Sequence, residues 1–174
     1  MKLIDRNKVV LVDENDQPLG QMEKLEAHLI GALHRAFSVF IFNDKGSLLL
    51  QQRAADKYHG AHLWTNTCCS HPQWGENVLE SARERLVYEM GMECELEFSH
   101  SFIYRAGVEN GLIEHEYDHV FVGYSNEQPR INSEEVQDYQ WMNPHQLTEE
   151  IALDSDRFTY WFKNAWPVVR AKLA

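Results

Sequence analysis

The fold is decided by one stretch of sequence, Phe37-Ser38-Val39-Phe40-Ile41-Phe42-Asn43-Asp44-Lys45-Gly46-Ser47-Leu48-Leu49-Leu50-Gln51-Gln52-Arg53. Its first part is an alternating, mostly apolar run that ends at Phe42. The polar residues Asn43–Gly46 interrupt the run, and a second one follows from Ser47 to Arg53. Two such runs separated by a short polar turn predict a β-hairpin.

A helix is predicted downstream, at about residues 78 to 90. Asn77 is a favourable N-cap residue, and Glu80 lies three positions later, as in a capping box. Gly91 supplies the glycine that commonly ends a helix. Apolar residues recur on one face of this helix: Val78, Ala82, Leu86 and Met90.

The remaining segments mix strands and helices without strict alternation. Val9–Val12 predicts a strand that ends in a turn at residues 13–16, with Pro18–Gly20 continuing the turn region of an N-terminal hairpin. We therefore expect an α+β fold of mixed β-sheets sandwiched by helices, in a single domain over residues 1–174. The other predicted elements are strands at 102–104, 114–124 and 136–141, a short helix at 144–151, and an aromatic helix at 156–165 that Pro167 stops or kinks.

Composition limits the classes of function. The chain has 174 residues, of which 44% are apolar, and a formal net charge of -11. This charge argues against broad binding to nucleic acid or to anionic lipid, and no apolar run approaches the roughly 18 residues of a membrane span. The first six residues turn polar too soon for a signal peptide, so we expect a cytoplasmic protein. The three cysteines suggest neither a disulfide framework nor a zinc ribbon.

Two short segments carry the functional signal: residues 65–72, Thr-Asn-Thr-Cys-Cys-Ser-His-Pro, and residues 114–116, Glu-His-Glu. In extended backbone, Cys69 and His71 would point to the same face, and so would Glu114 and Glu116. Each segment therefore places a proton-transfer group close to a metal ligand. A thiol and a carboxylate tied to the same cation would flank a small substrate from opposite sides.

Imidazoles and carboxylates together suit a five- or six-coordinate divalent ion such as manganese, iron or zinc. Glu114 and Glu116 share a strand face with Val120 and Val122, so that face is at least partly buried, and two buried carboxylates repel each other unless a cation compensates. Taken alone, His28 and His34 could equally be surface or capped histidines that bind no metal. Apart from these two and His71, the six remaining histidines give no metal-binding signal. The candidate ligands are His28, His34, His71, Glu114 and Glu116.

These motifs resemble the type I isopentenyl diphosphate isomerases. The resemblance covers nearly the whole chain and lies in residues 33–38, in Trp64–Pro72, and in Tyr104–Ala106 together with the Glu114-x-Glu116 pair. It implies a Nudix-like fold. The segment 84–91 is similar to a degenerate Nudix box, in which the usual adjacent glutamate pair is reduced to Tyr88-Glu89. That departure weakens an interpretation as a Nudix hydrolase, which needs several glutamates on this helix to hold its cations.

The resemblance also implies roles for individual residues. Cys69 and Glu116 correspond to the catalytic pair, and both are also expected among the metal-binding residues. Tyr104 and Trp161 correspond to an active-site tyrosine and tryptophan. Glu89 matches a residue that helps to hold a second cation, magnesium chelated by the substrate's diphosphate. The tightly bound ion, manganese, zinc or magnesium, would have as ligands His28, His34, His71, Glu114 and Glu116. The residues that match the diphosphate site are Lys24, Arg53, Lys57 and Arg85.

The reaction implied is the isomerisation of isopentenyl diphosphate to dimethylallyl diphosphate, which supplies isoprenoid precursors. No flavin or nicotinamide is expected, nor any nucleic acid or membrane partner, and the chain is expected to be a monomer or weak dimer. Two alternatives remain open. One is a Nudix-type diphosphohydrolase acting on a nucleoside or prenyl diphosphate, and the other is a non-catalytic regulator that binds a metal or a diphosphate.

Overall fold

The computed structural model describes residues 6–173. Residues 1–5, which hold most of the segment used to argue against a signal peptide, lie outside the described residues. Among the helices that are described, none has both the length and the apolar character needed to cross a bilayer. The strands are β1 (Lys8–Val12), β2 (Pro18–Glu23), β3 (His34–Phe42), β4 (Leu48–Arg53), β5 (Trp64–Thr65), β6 (Cys68–Ser70), β7 (Leu96–Gly107), β8 (Ile113–Tyr124) and β9 (Val136–Met142). The helices are α1 (Lys24–Ile30), α2 (Val78–Met90), α3 (Pro144–Leu153) and α4 (Tyr160–Leu173), with short 3₁₀ turns at Glu109–Gly111 and Ser155–Arg157.

Strand β3 is the centre of a mixed sheet. It pairs in parallel with β8 along its whole length, from His34 opposite Glu116 to Phe42 opposite Tyr124. Strand β8 in turn pairs antiparallel with the long β7. The short β6 pairs antiparallel with β3, and this places Cys69 opposite Ser38. The expected α+β fold with a mixed sheet and helices on its faces is confirmed.

Every residue from Ala36 to Phe42 is buried, because β3 is covered on both faces. On one face, Phe40 and Phe42 pack with Leu147 of α3 and with the aromatic side of α4. On the other face, residues such as Val39 and Ile41 pack with the apolar stripe of α2. The sheet therefore lies between two apolar layers, and the alternation of side chains along β3 decides which layer each residue joins.

The predicted hairpin at residues 37–53 forms only at its closed end. Strands β3 and β4 pair at Phe42 and Leu48 and nowhere else along the described chain. Beyond the turn, β4 pairs with β9 and with β5, while β3 pairs with β8 and β6. The two predicted strands and their turn are therefore present, but the strands pair only beside the turn, because each has long-range partners along the rest of its length.

The predictions for the N-terminal hairpin and for α2 are largely confirmed. Strands β1 and β2 form the hairpin, but Pro18–Gly20 belongs to β2 and not to the turn. Helix α2 has the predicted bounds, with the Asn77 side chain accepting a hydrogen bond from the Glu80 backbone N–H. Gly91 ends the helix with a left-handed φ of 63°.

The C-terminal helix differs from its prediction. A 3₁₀ turn precedes it, and α4 begins at Tyr160 and continues through Pro167 to Leu173. Proline lacks the backbone N–H that would bond to the preceding turn, a loss usually costly inside a helix. Here the residues around Pro167 are held by packing, since Trp166 and Val169 are both buried in the apolar layer. Tertiary contacts therefore override the local stop signal.

We predict that Gly91→Ala destabilises the protein strongly. A Cβ at this position would lie 2.7 Å from the backbone oxygen of Arg130, which belongs to the segment that packs against the end of α2. The left-handed conformation costs a non-glycine residue about 1–2 kcal/mol, and overpacking adds about 1–3 kcal/mol. Urea unfolding measures the change in the free energy of unfolding.

Gly75→Ala is the matched control. Gly75 also has a positive φ, of 79°, but a Cβ there would meet nothing within 4 Å. We expect only the backbone cost of about 1–2 kcal/mol in this variant. Equal destabilisation by the two substitutions would show that the close approach of Arg130 contributes nothing.

Candidate active site

A row of three side chains crosses the sheet on the face covered by α4. The register places His34 of β3 and Tyr104 of β7 on either side of Glu116 of β8. Tyr104 donates a short hydrogen bond from its hydroxyl to Glu116 Oε1. The other carboxylate oxygen, Oε2, faces His34 Nε2 at 3.2 Å and His71 Nε2 at 2.6 Å. Glu116 thus meets the phenol with one oxygen and imidazoles with the other.

Glu114 lies two residues earlier on the same face of β8 and has its own imidazole partners. His28, on α1, places Nε2 3.1 Å from Glu114 Oε1. His59, in the loop between β4 and β5, places Nε2 2.6 Å from the same oxygen. Both histidines and Glu114 are buried. Two carboxylates and four imidazoles therefore meet in one cluster.

The chemistry of this cluster fits a divalent cation. His28 Nδ1 lies 2.6 Å from the backbone oxygen of Lys24, and His34 Nδ1 lies 2.9 Å from that of Ala32. A proton donated at Nδ1 leaves the Nε2 lone pair directed at the carboxylates, which is the arrangement common to metal-ligating histidines. Although His34 Nε2 lies near Glu116, it is buried and has no hydrogen-bond partner of acceptable geometry among the described residues. A cation would satisfy that lone pair.

The residues that offer ligand atoms fall into overlapping groups. Within the described chain, three groups have ligand atoms that all lie within 4.8 Å of one another: His28 with His34 and His71, His34 with Glu114 and Glu116, and His28 with His59 and Glu114. All five ligands inferred from the sequence are therefore brought together. Cys69 and Glu89 belong to none of these groups.

The carboxylates remain ionised in spite of their burial. Burial, and the charge of Glu116, oppose ionisation of Glu114, but contacts with His28 and His59 lower the pKa of Glu114 to about 2. Burial also opposes ionisation of Glu116, and contacts with His34 and His71 outweigh it and lower the pKa of this carboxyl well below its usual value. Both carboxyls are therefore ionised because hydrogen-bond donors or positive charge lie beside them, and a cation would supply the same compensation.

A cavity of about 710 Å³ opens beside the cluster. Its lining includes Cys69 and Glu116, so the two candidate proton-transfer groups share one space. Burial is the main cause that raises the pKa of the Cys69 thiol to about 12, against the lowering effect of Arg53. At neutral pH this side chain is therefore a protonated thiol that faces a carboxylate-bearing pocket.

Trp161 also lines the cavity and is only 6% exposed. The guanidinium of Arg53 lies over its ring, 5.2 Å from the centroid. The indole Nε1 is buried and has no hydrogen-bond partner among the described residues. Since its N–H is unused, the ring itself is what this side chain contributes to the pocket.

The four cations expected at the diphosphate site, Lys24, Arg53, Lys57 and Arg85, line the same cavity. Burial, together with the positive charges of Lys57 and Arg53, lowers the pKa of Lys24. Glu135 offsets part of this charge, since its carboxylate contacts both Lys57 and Arg85. The remaining positive potential would be relieved by an anion in the cavity.

Glu89 lies on the α2 side of the sheet and is 3% exposed. Its carboxylate accepts a hydrogen bond from the Cys68 thiol at 3.2 Å and lies 3.4 Å from Arg85 Nε. Cys68 and Cys69 thus point to opposite faces of β6, which is why adjacent thiols have different surroundings. Glu89 does not itself line the cavity, but it contacts Arg85, which does.

Two buried polar residues of this region were missed from the sequence. His59 lies in a loop without periodicity, so its pattern gave no signal. Asp118 continues the face of Glu114 and Glu116 and accepts a hydrogen bond from Ser38 Oγ at 2.7 Å. Burial and the charge of Glu116 raise the pKa of Asp118 well above its usual value. The alternation of buried side chains along β8 would have identified Asp118 as a buried residue, but not the raised pKa of its carboxyl.

Known proteins are similar to this chain over most of its length. The NUDIX domain family matches residues 32–162. The isopentenyl-diphosphate Delta-isomerase of Pectobacterium atrosepticum is 50% identical over 156 residues, which cover 90% of this chain and 87% of that protein. Isopentenyl-diphosphate Delta-isomerase 2 of Photorhabdus laumondii is 52% identical over 155 residues, with coverages of 89% and 88%.

Solved structures show the same fold at much lower identity. The MutT protein of Methanosarcina mazei superposes with a TM-score of 0.67 at 15% identity and covers 80% of this chain and 95% of its own. The NUDIX domain of Shewanella oneidensis NrtR, solved with ADP ribose, gives a TM-score of 0.64 at 13% identity and coverages of 82% and 88%. Fold and close relatives together show that this chain belongs to the NUDIX domain family and, within it, to the isopentenyl-diphosphate Delta-isomerases.

Proposed function

We propose that this protein isomerises isopentenyl diphosphate to dimethylallyl diphosphate. One observation carries the proposal: Cys69 and Glu116 line a single cavity in a chain about half identical to proteins named for this reaction. The matched family spans residues 32–162, and the preceding β1 joins the same sheet through Leu11 and His34. We therefore take the chain to act as one domain.

The reaction moves a double bond without any redox change. A proton is added to the terminal carbon of the alkene, which leaves a tertiary carbocation at the branched carbon. Loss of a proton from the neighbouring carbon of the chain then forms the new double bond. The enzyme must supply an acid on one side of the five-carbon unit and a base on the other, and it must keep water away from the cation.

Cys69 and Glu116 are the pair that exchanges these protons, each acting as acid or base according to the direction of the reaction. The thiol is protonated at neutral pH, as burial dictates, and the carboxyl is ionised. Tyr104 supports Glu116 by donating its hydroxyl to Oε1. Burial and nearby carboxylates raise the pKa of Tyr104 well above its usual value, so the phenol remains a donor.

The metal site comprises His28, His34, His71, Glu114 and Glu116, and the unsatisfied His34 Nε2 supports it. A manganese, zinc or magnesium ion held there would supply the positive charge that two buried carboxylates require, and would orient Glu116. Imidazole and carboxylate ligands suit each of these ions. Such an ion explains why the carboxylates can face the interior.

Lys24, Arg53, Lys57 and Arg85 bind the diphosphate, and Glu89 helps to hold the magnesium that the diphosphate chelates. The lowered pKa of Lys24 supports this role, because it reflects burial among other cations. Anchoring the diphosphate positions the reacting carbons, so that remote binding energy serves the chemical step. The π-face of Trp161 then stabilises the carbocation.

A product assay tests the proposal directly. We expect purified protein incubated with isopentenyl diphosphate and magnesium to form dimethylallyl diphosphate without releasing phosphate, and to lose this activity after prolonged treatment with a chelator. Release of phosphate or a monophosphate would favour a Nudix-type diphosphohydrolase. Binding of the diphosphate without turnover would favour a non-catalytic regulator. Both results would contradict the proposal.

Cys69→Ala should remove isomerase activity while the protein remains folded and metal-loaded. A proton-transfer group contributes roughly 10²–10⁴-fold to the rate, and alanine fills most of the space of the thiol without strain. Turnover measures the activity, circular dichroism the folding, and metal analysis the metal content of the variant. Cys94→Ala is the control, because this half-buried cysteine packs in the apolar layer on the α2 side. Near-normal turnover by Cys69→Ala would exclude the proposed role of the thiol.

Trp161→Phe should retain far more activity than Trp161→Leu. Phenylalanine keeps an aromatic face, whereas leucine keeps only bulk. A desolvated cation–π interaction is worth about 2 kcal/mol, which corresponds to a rate difference of about 30-fold. The ratio of kcat values for the two variants measures it. Equal rates would mean that Trp161 serves only to fill space.

A further inference from the structure

We propose that His59 is a positioning residue of the metal centre, which holds the carboxylate of Glu114 in place from outside the set of ligands. This inference rests on the metal site of the proposed function and adds a residue to it. His59 is buried, 7% exposed, and its Nε2 lies 2.6 Å from Glu114 Oε1. A separation this short is typical of a charge-assisted hydrogen bond, with the imidazole N–H as donor.

The placement of His59 separates it from the ligands. Among the described residues, its ligand atom groups only with those of His28 and Glu114, and not with those of His34, His71 or Glu116. His59 therefore lies at one edge of the cluster. Carboxylates that bind metals are commonly fixed by hydrogen bonds from such neighbouring residues, and loss of these neighbours typically weakens metal binding about 10–100-fold.

The loop that carries His59 is built to hold it there. The Gly60 backbone N–H donates to both carboxylate oxygens of Glu109, at 3.2 and 3.1 Å. Asn110, the next residue in the turn between β7 and β8, donates its side-chain amide to the Tyr58 backbone oxygen. Since that turn joins the two strands that carry Tyr104 and Glu114, the loop is tied to the same part of the sheet as the carboxylate it contacts.

Arg53 and two rings restrain His59 further. Arg53 donates from Nη2 to the His59 backbone oxygen at 3.1 Å. The imidazole meets Tyr58 edge to face, with centroids 4.9 Å apart, and Trp161 in the same manner at 6.4 Å. These contacts leave little freedom for the imidazole, which is what a residue that orients another side chain requires.

The test separates the hydrogen bond from the packing of the ring. His59→Phe keeps an aromatic ring but removes the donor, whereas His59→Gln keeps an N–H near the position of Nε2 but removes the ring. We expect His59→Phe to bind the metal about 10–100-fold more weakly, and His59→Gln to remain close to wild type. The readouts are metal content after purification and the rate at which a chelator removes the ion, with folding checked by circular dichroism.

His62→Ala is the matched control, because His62 lies in the same loop with an exposed side chain whose Nδ1 is 2.8 Å from Gln137 Oε1. It should retain the metal as wild type does. X-ray absorption on zinc-loaded protein should give the same number of bound imidazoles in wild type and in His59→Phe. A lower number in the variant would make His59 a direct ligand and would overturn the positioning role.

Other results also overturn the inference. Wild-type metal retention in His59→Phe would mean that the hydrogen bond is not needed, and retention lost in His59→Gln would mean that the ring matters instead. Wild-type protein that takes up no ion would overturn the metal site and the role of His59 together. If the wild-type protein binds the metal and the His59→Phe variant binds it equally well, only the role of His59 is overturned.

Discussion

The constraint on which the site depends is the burial of two carboxylates, Glu114 and Glu116, two residues apart on one strand face. Removing an ionised carboxyl from water is costly unless hydrogen bonds and opposite charge compensate. Four imidazoles surround this pair, so that hydrogen bonds and a bound cation can compensate both charges. The surrounding fold can be understood as the means of bringing these side chains to one place.

Each partner comes from a different part of the chain. His28 comes from α1, His34 from the start of β3, and His71 from the residue that follows β6. The sheet supplies the rigid frame, since β3, β7 and β8 set His34, Tyr104 and Glu116 in one row. Helix α1 and two loops supply the imidazoles that do not come from the sheet, those of His28, His59 and His71. Side chains on paired strands hold their relative positions better than side chains on loops, which suits a site where a proton must move over a short distance.

Local signals were sufficient for part of this structure. The bounds of α2 follow from Asn77 and Gly91, and the shared, buried face of Glu114 and Glu116 follows from the alternation along β8. The separation of β3 from β4 could not be predicted, because it depends on pairing with β8, about eighty residues away. The passage of α4 through Pro167 depends on tertiary packing of Trp166. His59 could not be predicted from the sequence, because it lies in an irregular loop that shows no periodicity. Its contact with Glu114 is visible only in the structure.

The parallel alignment of β3 with β8 has a consequence for folding. Because side chains alternate between the two faces, a shift of β8 by one residue would turn both carboxylates away from the imidazoles, to the face on which His115 and Tyr117 are only half-buried. Misaligned chains would lose the contacts of both carboxylates with the imidazoles, and half-buried side chains such as Tyr117 would have to occupy the buried positions. The contacts of the acidic pair thus favour the native alignment of β8 during assembly of the sheet, before any substrate is met.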